Sequence, residues 1–522
     1  MLFADVVATS AALGETRSRR TKIDTLARLL GELDVAEIVP VVAWLAGAPR
    51  QGRTGIGWRT LAAVRGEPAE SATLTVGDVD RTLSDVVETT GSGSTMRRRE
   101  LLAAVLGAST AAEQDFLFRL LTGDLRQGAL EGVMTDAIAN ASGTPLATVR
   151  RAFMLSGRLP ETAVVALADG AEGLAAIGLD VGRPVRPMLA SPAESLAGAM
   201  ADLGSAVSVE YKLDGARIQL HRNGDEVHVF TRTLREITAT VPELVAFARE
   251  LPCTAVVLDG ETLALTDAGR PRPFQETMSR FGSGTAGTVG ADDGQLRALL
   301  LRPYFFDCLH LDGVDLLDEP LSTRLDALDR VAGAHRIPAL LRPDDAAAAA
   351  HFDAALAAGH EGIMVKSLDA PYAAGRRGRA WQKVKPEHTL DLVVLGAEWG
   401  YGRRTGFLSN LHLGARDPDG GAPIMVGKTF KGLTDQLLQW QTAEFPKHER
   451  ERDARTVYLR PELVVEIELD GVQVSSRYPG GVALRFARVL RYRPDKTAAE
   501  ADTIDAVRAL LPEGIAVTAT DG

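Results

Sequence analysis

"VEYKLDGARIQLHRNG", residues 209–224, contains Lys212, one of nine lysines in a chain with forty-nine arginines. An amine kept where guanidinium is otherwise preferred points to chemistry that arginine cannot perform. Arginine stays protonated, whereas burial and nearby cations lower a lysine pKa from about 10.4 toward neutrality and free a nucleophilic lone pair. Both conditions are written around Lys212, which lies between apolar Val207, Val209 and Leu213 and is followed by Arg217. A lone strand lysine is ordinarily an edge residue facing water, and these neighbours argue against that. The same stretch decides the local fold. Ile218 and Leu220 alternate with polar residues, Asn223-Gly224 makes a turn, and Val227 and Val229 alternate back. This predicts a β-hairpin closed by a type I′ turn.

Upstream the texture is helical. "TKIDTLARLLGEL" puts Ile23, Leu26, Leu29 and Leu30 on one face, and "EQDFLFRLLTGDLRQGALEGVMTDAIANASG" continues in the same style. "TTGSGST" (89–95) reads as a loop before Arg97, Arg98 and Arg99, and "GRPVRPMLASP" (182–192) as a linker. Beyond it strands ("TAVVLDGETLAL", "LRPYFFDCLHLDG") mix with helices such as "LSTRLDALDRVAG". From about Thr389, short strands separated by glycine turns predict a small β-barrel, and "TAAEADTIDAVRALLPEG" predicts a closing helix. The chain is therefore expected to be multidomain α+β. Residues 1–180 form an all-α domain, 181–387 an α+β domain, 388–510 a β-barrel and 511–522 a loose tail.

Composition narrows the class. At 522 residues the chain is too long for one ordinary domain, and no apolar run approaches a membrane span. No basic leader precedes an apolar stretch at the N-terminus, so no signal peptide is expected. With only Cys253 and Cys308, a disulfide scaffold and a four-cysteine zinc site are excluded, and a reducing cytoplasm fits. The net charge of −11 argues against a nucleic-acid partner on average. Two stretches locally reverse it: "PYAAGRRGRAWQKVKP" (371–386) and "SRYPGGVALRFARVLRYRPDK" (476–496) are basic enough to meet phosphates. Two tempting motifs fail. Gly427-Lys428-Thr429 lacks the required upstream glycine, Ala422 standing there, and no helix start follows; "GRTGIGW" (52–58) follows no strand.

Lys212-x-Asp214-Gly215-x-Arg217 is the signature order of covalent nucleotidyltransferases, and further motifs follow at consistent spacings: Thr231-Arg232, "LDGETLAL" around Glu261, "RPYFFDCLHLDG" around Phe306, "HEGIMVKS" (360–367), "WQKVKP" (381–386) and "ALRFARVLRYRPDK" (483–496). Over nearly its whole length the sequence resembles the ATP-dependent DNA ligases of the archaeal and actinobacterial type. "LLTGDLRQGALEG" (120–132) and "FMLSGRLPETA" resemble that family's helical DNA-binding domain. One departure stands in the last motif, where Arg485-Phe486-Ala487-Arg488 replaces the usual Arg-Phe-Pro-Arg; it predicts a less stiff backbone there.

The resemblance implies a helical DNA-binding domain, an adenylation (nucleotidyltransferase) domain and an OB-fold. It also implies nick sealing through a lysyl-AMP intermediate on Lys212. Glu261 and Glu361 are the expected Mg²⁺ carboxylates. Glu210 is expected to read the adenine amino group, and Phe306 to stack on adenine with Tyr304 on the same strand face. Arg217, Arg232 and Arg377 are expected at ribose or phosphate. Lys366, Lys383 and Lys385 are expected at phosphate, with Lys383 and Lys385 on one strand face. Arg485 and Arg488 are expected to orient pyrophosphate and then touch DNA, as the OB-fold swings about a hinge near Pro386-Glu387-His388. The implied cofactors are ATP and Mg²⁺. The implied partner is nicked duplex DNA, read through phosphates and groove shape, with a sliding clamp left open. A monomer, cytoplasmic and nucleoid-associated, with no membrane and a role in DNA repair, replication or recombination completes the expectation. The rivals are an mRNA-capping guanylyltransferase or RNA ligase, an NAD-dependent ligase and a catalytically silent DNA-binding protein. The long helical region, the missing zinc cysteines and the complete motif set respectively argue against them.

Overall fold

A computed structural model describes residues 1–522 except 53, 126, 128–130, 267–270, 273–276, 278–300, 374–376, 387 and 512–522. Helices run from Phe3–Glu15 to Leu159–Ala175, with a core in which Phe3 meets Trp44 and Phe116 edge-on, each at 5.6 Å between centroids. The predicted helix around Leu26, Leu29 and Leu30 is Arg19–Gly31; those three leucines are buried and Ile23 packs partly at the margin. The glycine loop before the arginine triplet ends early, because Ser94 already opens the helix Ser94–Gly107.

The middle region is two five-stranded sheets. Its strands are β1 (Leu189–Pro192), β2 (Val207–Lys212), β3 (Ala216–Asn223), β4 (Glu226–Thr231), β5 (Ala255–Ala264), β6 (Leu301–Leu311), β7 (Val314–Asp315), β8 (Ala339–Leu341), β9 (Gly362–Ser367) and β10 (Arg377–Val384). One sheet has the order β1-β10-β9-β2-β8 and the other β4-β3-β5-β6-β7. The chain crosses between them in the three residues that separate β2 from β3, Leu213-Asp214-Gly215. Gly215 lies so close to β5 that a Cβ would stand 2.4 Å from the Thr262 carbonyl oxygen, so only glycine fits this crossing.

The β3–β4 hairpin forms, with its turn one residue further on than predicted. Asn223 pairs with Glu226, leaving Gly224 and Asp225 as the central pair. Gly224 has a φ of +61°, and Asp225 is not among the residues of positive φ, as a type II′ turn and not type I′ requires. The polar face of β3 does not reach water either: Gln219 and His221 are buried. The 182–192 segment is not a free linker: residues 182–188 are a strap laid on that face, and Leu189–Pro192 form β1. Gly182 N–H donates to His221 Nδ1, Val185 N–H donates to Gln219 Oε1, and Gln219 Nε2 donates back to the Val185 carbonyl. Burial pushes the His221 imidazolium pKa down to about 3, so the ring is neutral and free to accept. Val185 and Met188 of this strap share an apolar cluster with Met154 and Leu155 of the helix Leu146–Ser156, and Arg151 of that helix pairs with Asp318 at 2.7 Å. The helical region is thereby packed onto the middle one.

The C-terminal strands are β11 (His388–Trp399), β12 (Leu408–Ala415), β13 (Ile424–Thr429), β14 (Glu449–Arg452), β15 (Thr456–Leu459), β16 (Val464–Leu469), β17 (Gly471–Val474), β18 (Val482–Arg485) and β19 (Arg488–Tyr492). β11 is the spine, pairing with β12 along one edge and with β15 and β16 along the other. Register shifts at Val394/Gly396 and Glu398/Trp399 bend it, which is how a long strand curves into a barrel. Gly427-Lys428-Thr429 lies inside β13 with Lys428 on Glu398, confirming that it is no phosphate loop. The closing helix is shorter than predicted, Ile504–Arg508, because Thr497 and Thr503 each cap a separate turn. The predicted tail lies outside the described residues apart from Leu511, as does Glu387 of the predicted hinge. Among the described residues no helix is long and apolar enough to cross a membrane.

Candidate active site

The two sheets of the middle region and the β17–β18 hairpin of the barrel enclose a cavity of about 900 Å³. Strand register explains its walls. Across β2, β9 and β10, Glu210, Met364 and Lys383 lie side by side, as do Lys366 and Trp381 on β9 and β10. Across β3, β5 and β6, Arg217, Glu261 and Tyr304 are neighbours. Lys212, at the end of β2, stands where the chain leaves one sheet for the other. Of the predicted residues, Glu210, Lys212, Arg217, Arg232, Glu261, Phe306, Glu361, Lys366, Lys383, Lys385 and Arg485 line the cavity. Lys383 and Lys385 share it as their alternation predicts. Arg377 begins β10, and its side chain lies outside the described residues. Arg488 is elsewhere, exposed on β19 at 3.5 Å from Glu468.

Lys212 is four-fifths buried and its ammonium is ion-paired with Glu361. The backbone supports that contact: Glu361 N–H donates to the Lys212 carbonyl at 3.0 Å, and Gly362 faces Lys212 across β2–β9. Gly362 has φ +144°, and a Cβ there would meet the Val384 carbonyl oxygen at 2.3 Å. Glu361 also accepts from Lys385 at 3.0 Å and lies 3.7 Å from Arg485. Burial raises the Glu361 carboxyl, but the Lys212 and Lys385 cations outweigh it and hold the carboxyl below its ordinary range. Burial and the neighbouring Lys385 and Lys212 cations push Lys383 down, whereas Lys385, despite its burial, is raised by Glu361 and Asp470. A site that gathers Lys212, Lys366, Lys383, Lys385 and Arg485 around one cavity is built to neutralise several anionic oxygens.

The inner end is aromatic. Phe306 and Trp381 meet edge-on at 5.9 Å, and Lys366 Nζ lies 4.3 Å and 4.2 Å from their ring centres. Lys366 and Glu210 are both buried and approach to 2.5 Å. Beside this ion pair Trp381 Nε1 is buried without a hydrogen-bond partner, so one donor is left unused at this end of the cavity. These residues fit an adenine nucleotide. Arg217 lines the same cavity, but its guanidinium is engaged: it holds Asp259 at 3.0 and 2.6 Å and the Met188 carbonyl at 2.8 Å, while Tyr372 also donates to Asp259.

Glu261 is the other expected metal ligand. Burial raises its carboxyl to about 7, even with the opposing pull of Lys212 and Arg217. Among the described residues no group of three or more His, Cys, Asp or Glu is arranged for a metal. Mg²⁺ keeps its waters and uses one or two carboxylates together with substrate phosphates, and Glu261 and Glu361 bring two carboxylates to this cavity. The carboxylate donor set therefore fits this ion. A folded-state pKa above the unfolded value means that the native state holds its proton longer, so this group costs stability as pH rises through 4.5 to 7. Glu261→Gln is accordingly expected to stabilise the metal-free protein by about 3 kcal/mol at pH 8 and by much less at pH 5. Denaturant unfolding of both proteins at the two pH values checks this.

Some cavity residues carried no sequence signal: Gln473 comes from the barrel and joins the site only through its closure, and Ile337 precedes a strand of three residues. Leu484 and Phe486, which also line the cavity, lie within the last motif but were given no role there. Asp259 and Tyr372 act behind Arg217, and their roles follow from pairing alone. Asp214, inside the nucleophile motif, receives both ends of Arg485, at 2.7 and 3.3 Å. Ala487, in place of the usual proline, is buried in the barrel core, its carbonyl held by the Thr429 hydroxyl while Val489 N–H donates to the Lys431 carbonyl. These ties hold the turn in which Phe486 adopts a φ of +55°.

Three family models match the chain in order: DNA ligase N terminus over residues 59–139, ATP dependent DNA ligase domain over 187–385 and ATP dependent DNA ligase C terminal region over 404–496. A probable DNA ligase of Rhodococcus opacus (strain B4) is 74% identical over 512 residues, covering 98% of this chain and 100% of that protein. One of Nocardia farcinica (strain IFM 10152) is 65% identical over 523 residues, with 98% and 100% covered. The solved structure Pmar-Lig_PreS3 shares the fold over 94% of this chain and 99% of its own, with a TM-score of 0.59 at 18% identity. The helical region, the two-sheet region with its cavity and the OB-fold barrel thus stand in the order those models require, and the chain belongs to the ATP-dependent DNA ligase family.

Proposed function

We propose that the enzyme seals nicks in duplex DNA in three in-line displacements at phosphorus, with Lys212 as the nucleophile of the first. The Lys212 amine attacks the α-phosphorus of ATP; an N–P bond forms and the bond to pyrophosphate breaks. The amine must shed its proton, and the Glu361 carboxylate in contact with it is placed to take it. A 5′-phosphate oxygen at the nick then attacks the same phosphorus, breaking the N–P bond and restoring the amine. Finally the 3′-hydroxyl attacks the 5′-phosphorus and AMP leaves. Catalysis is mostly positioning and charge neutralisation. Lys366, Lys383, Lys385 and Arg485 supply the fixed cations, Arg232 is assigned to ribose or phosphate, as is Arg377 on the strength of the motif order alone, and Phe306 with Glu210 seats adenine. Arg217 acts as a braced pillar beneath Phe306, with its guanidinium carbon 5.4 Å from the ring centre. Glu261 and Glu361 would hold Mg²⁺, which supplies charge neutralisation on the phosphates.

Residues 1–180 are assigned to DNA binding, 181–387 to adenylation and 388–510 to the OB-fold, which closes on the nucleotide for the first step and turns to DNA afterwards, bringing Arg488 to the duplex. The observation that carries this reading is the placement of Lys212 at the crossing between the two sheets, inside a cavity ringed by cations. The test is ligation of a singly nicked, 5′-phosphorylated duplex with ATP or NAD⁺ as sole cofactor in Mg²⁺ buffer. Sealed product with ATP and none with NAD⁺ is expected; no sealing with ATP removes the reading.

A further inference from the structure

The barrel grips the adenylation region through two ion pairs of opposite polarity. Arg485, at the end of β18, offers a cation to Asp214, two residues beyond the nucleophile. Asp470, between β16 and β17, offers an anion to Lys385 at 2.7 Å. The two prongs are built as a unit. Asp470 N–H donates to the Arg485 carbonyl at 3.0 Å, and Gly471 pairs with Arg485 across β17–β18. Gly471 has a φ of +142°, a backbone setting that side chains rarely adopt, and it turns the chain immediately after Asp470. Lys385 in turn bridges Asp470 to Glu361, the carboxylate on the nucleophile, at 3.0 Å.

Charge complementarity of this kind fixes a docking register. A barrel that is rotated or shifted would set Asp470 against Asp214 or Arg485 against Lys385, and like charges at that range repel. The Asp470–Lys385 pair is largely screened from water, with side-chain exposures of 33% and 19%, so it is weakened less by salt than a surface pair. We propose that Asp470 is a positioning residue for the first chemical step: by pairing with Lys385 it locks the closed barrel in register over the nucleotide, and it has no part once the barrel turns to DNA. This inference rests on the lysyl-AMP reading given above.

The experiment separates the steps. Self-adenylation is followed with α-labelled ATP and Mg²⁺, and sealing with a nick that already carries AMP on its 5′-phosphate. Asp470→Asn is expected to slow self-adenylation about fivefold and to leave sealing of the pre-adenylated nick at the wild-type rate. Asp470→Glu, which keeps the anion, is expected to restore most of the loss. Asp470→Ser, assayed beside them with unfolding curves, gives a second neutral replacement should the asparagine variant fold poorly. Equal slowing of both steps, or self-adenylation at the wild-type rate in both neutral variants, would overturn the latch. Wild-type protein that takes no label would instead overturn the lysyl-AMP reading itself, so the two failures are distinguishable.

Discussion

Lys212→Arg is expected to abolish self-adenylation and nick sealing with ATP, by a factor on the order of 10⁴ or more. The substitution keeps the positive charge, most of the side-chain length and the ion pair available with Glu361. It removes only the ability to present a neutral nitrogen, because guanidinium stays protonated at any working pH. An inert Lys212→Arg protein with an unchanged unfolding curve therefore isolates nucleophilicity from charge. Lys212→Ala would not do so, since it also strands Glu361 between Lys385 and Arg485. The measurement is label transfer from α-labelled ATP, with sealing of a pre-adenylated nick as a parallel assay that bypasses formation of the N–P bond.

The second large effect falls on stability. Arg324, on the helix Leu321–Ala332, is fully buried with Asp307 of β6, donating to its two carboxylate oxygens at 2.7 and 3.0 Å. Its remaining guanidinium nitrogen donates to the Glu319 and Ala370 carbonyls at 2.6 and 3.0 Å. One side chain thus ties a helix, a strand and a returning loop together. Arg324→Ala leaves the buried Asp307 carboxylate and the Glu319 carbonyl without these donors, while the Ala370 carbonyl keeps the Leu321 N–H at 3.1 Å, and is expected to cost about 3–5 kcal/mol. The paired change Arg324→Leu with Asp307→Leu is expected to cost much less, because no charge is then left alone. Urea unfolding of the single and double variants measures the difference. Asp307 immediately follows Phe306, so the single variant is also expected to raise the KM for ATP as the ring loses its support.

The sequence disclosed most where side chains do chemistry on consecutive strands. Lys212, Glu361 and Lys366 were grouped through the ordered motifs and the family resemblance they carry, while Lys383 and Lys385 could be placed together by period-2 alternation. The β3–β4 hairpin was legible for the same reason. Its turn slipped by one residue because Asn-Gly and Gly-Asp are both acceptable turn pairs, and cross-strand packing chose between them. The buried polar face of β3 was not legible, since Gln219 and His221 read as solvent-facing until residues 182–188 are laid over them. The short final helix escaped for a comparable reason: its two threonine caps break a continuous helical pattern into separate turns.

What pairs across domains left no local trace. Asp470 reads as a turn residue and Gln473 as a surface strand residue, and only barrel closure brings them to the site. Arg217 could be assigned to the cavity, but not its bracing by Asp259 and Tyr372, whose sequence separations of 42 and 155 residues exceed any local pattern. Replacement of the motif proline by Ala487 suggested a looser turn. The structure instead supplies stiffness from outside the motif, through Thr429 and Lys431 of the neighbouring strand end.

The central claim is a covalent bond between the Lys212 amine and adenylate. Peptide mass mapping after incubation of the wild-type protein with ATP and Mg²⁺ tests it most directly, under mildly alkaline handling that spares phosphoramidates. The account predicts one added AMP, located on the peptide containing Lys212 and lost on treatment with pyrophosphate. No added AMP, or adenylate found on a different side chain, would contradict it.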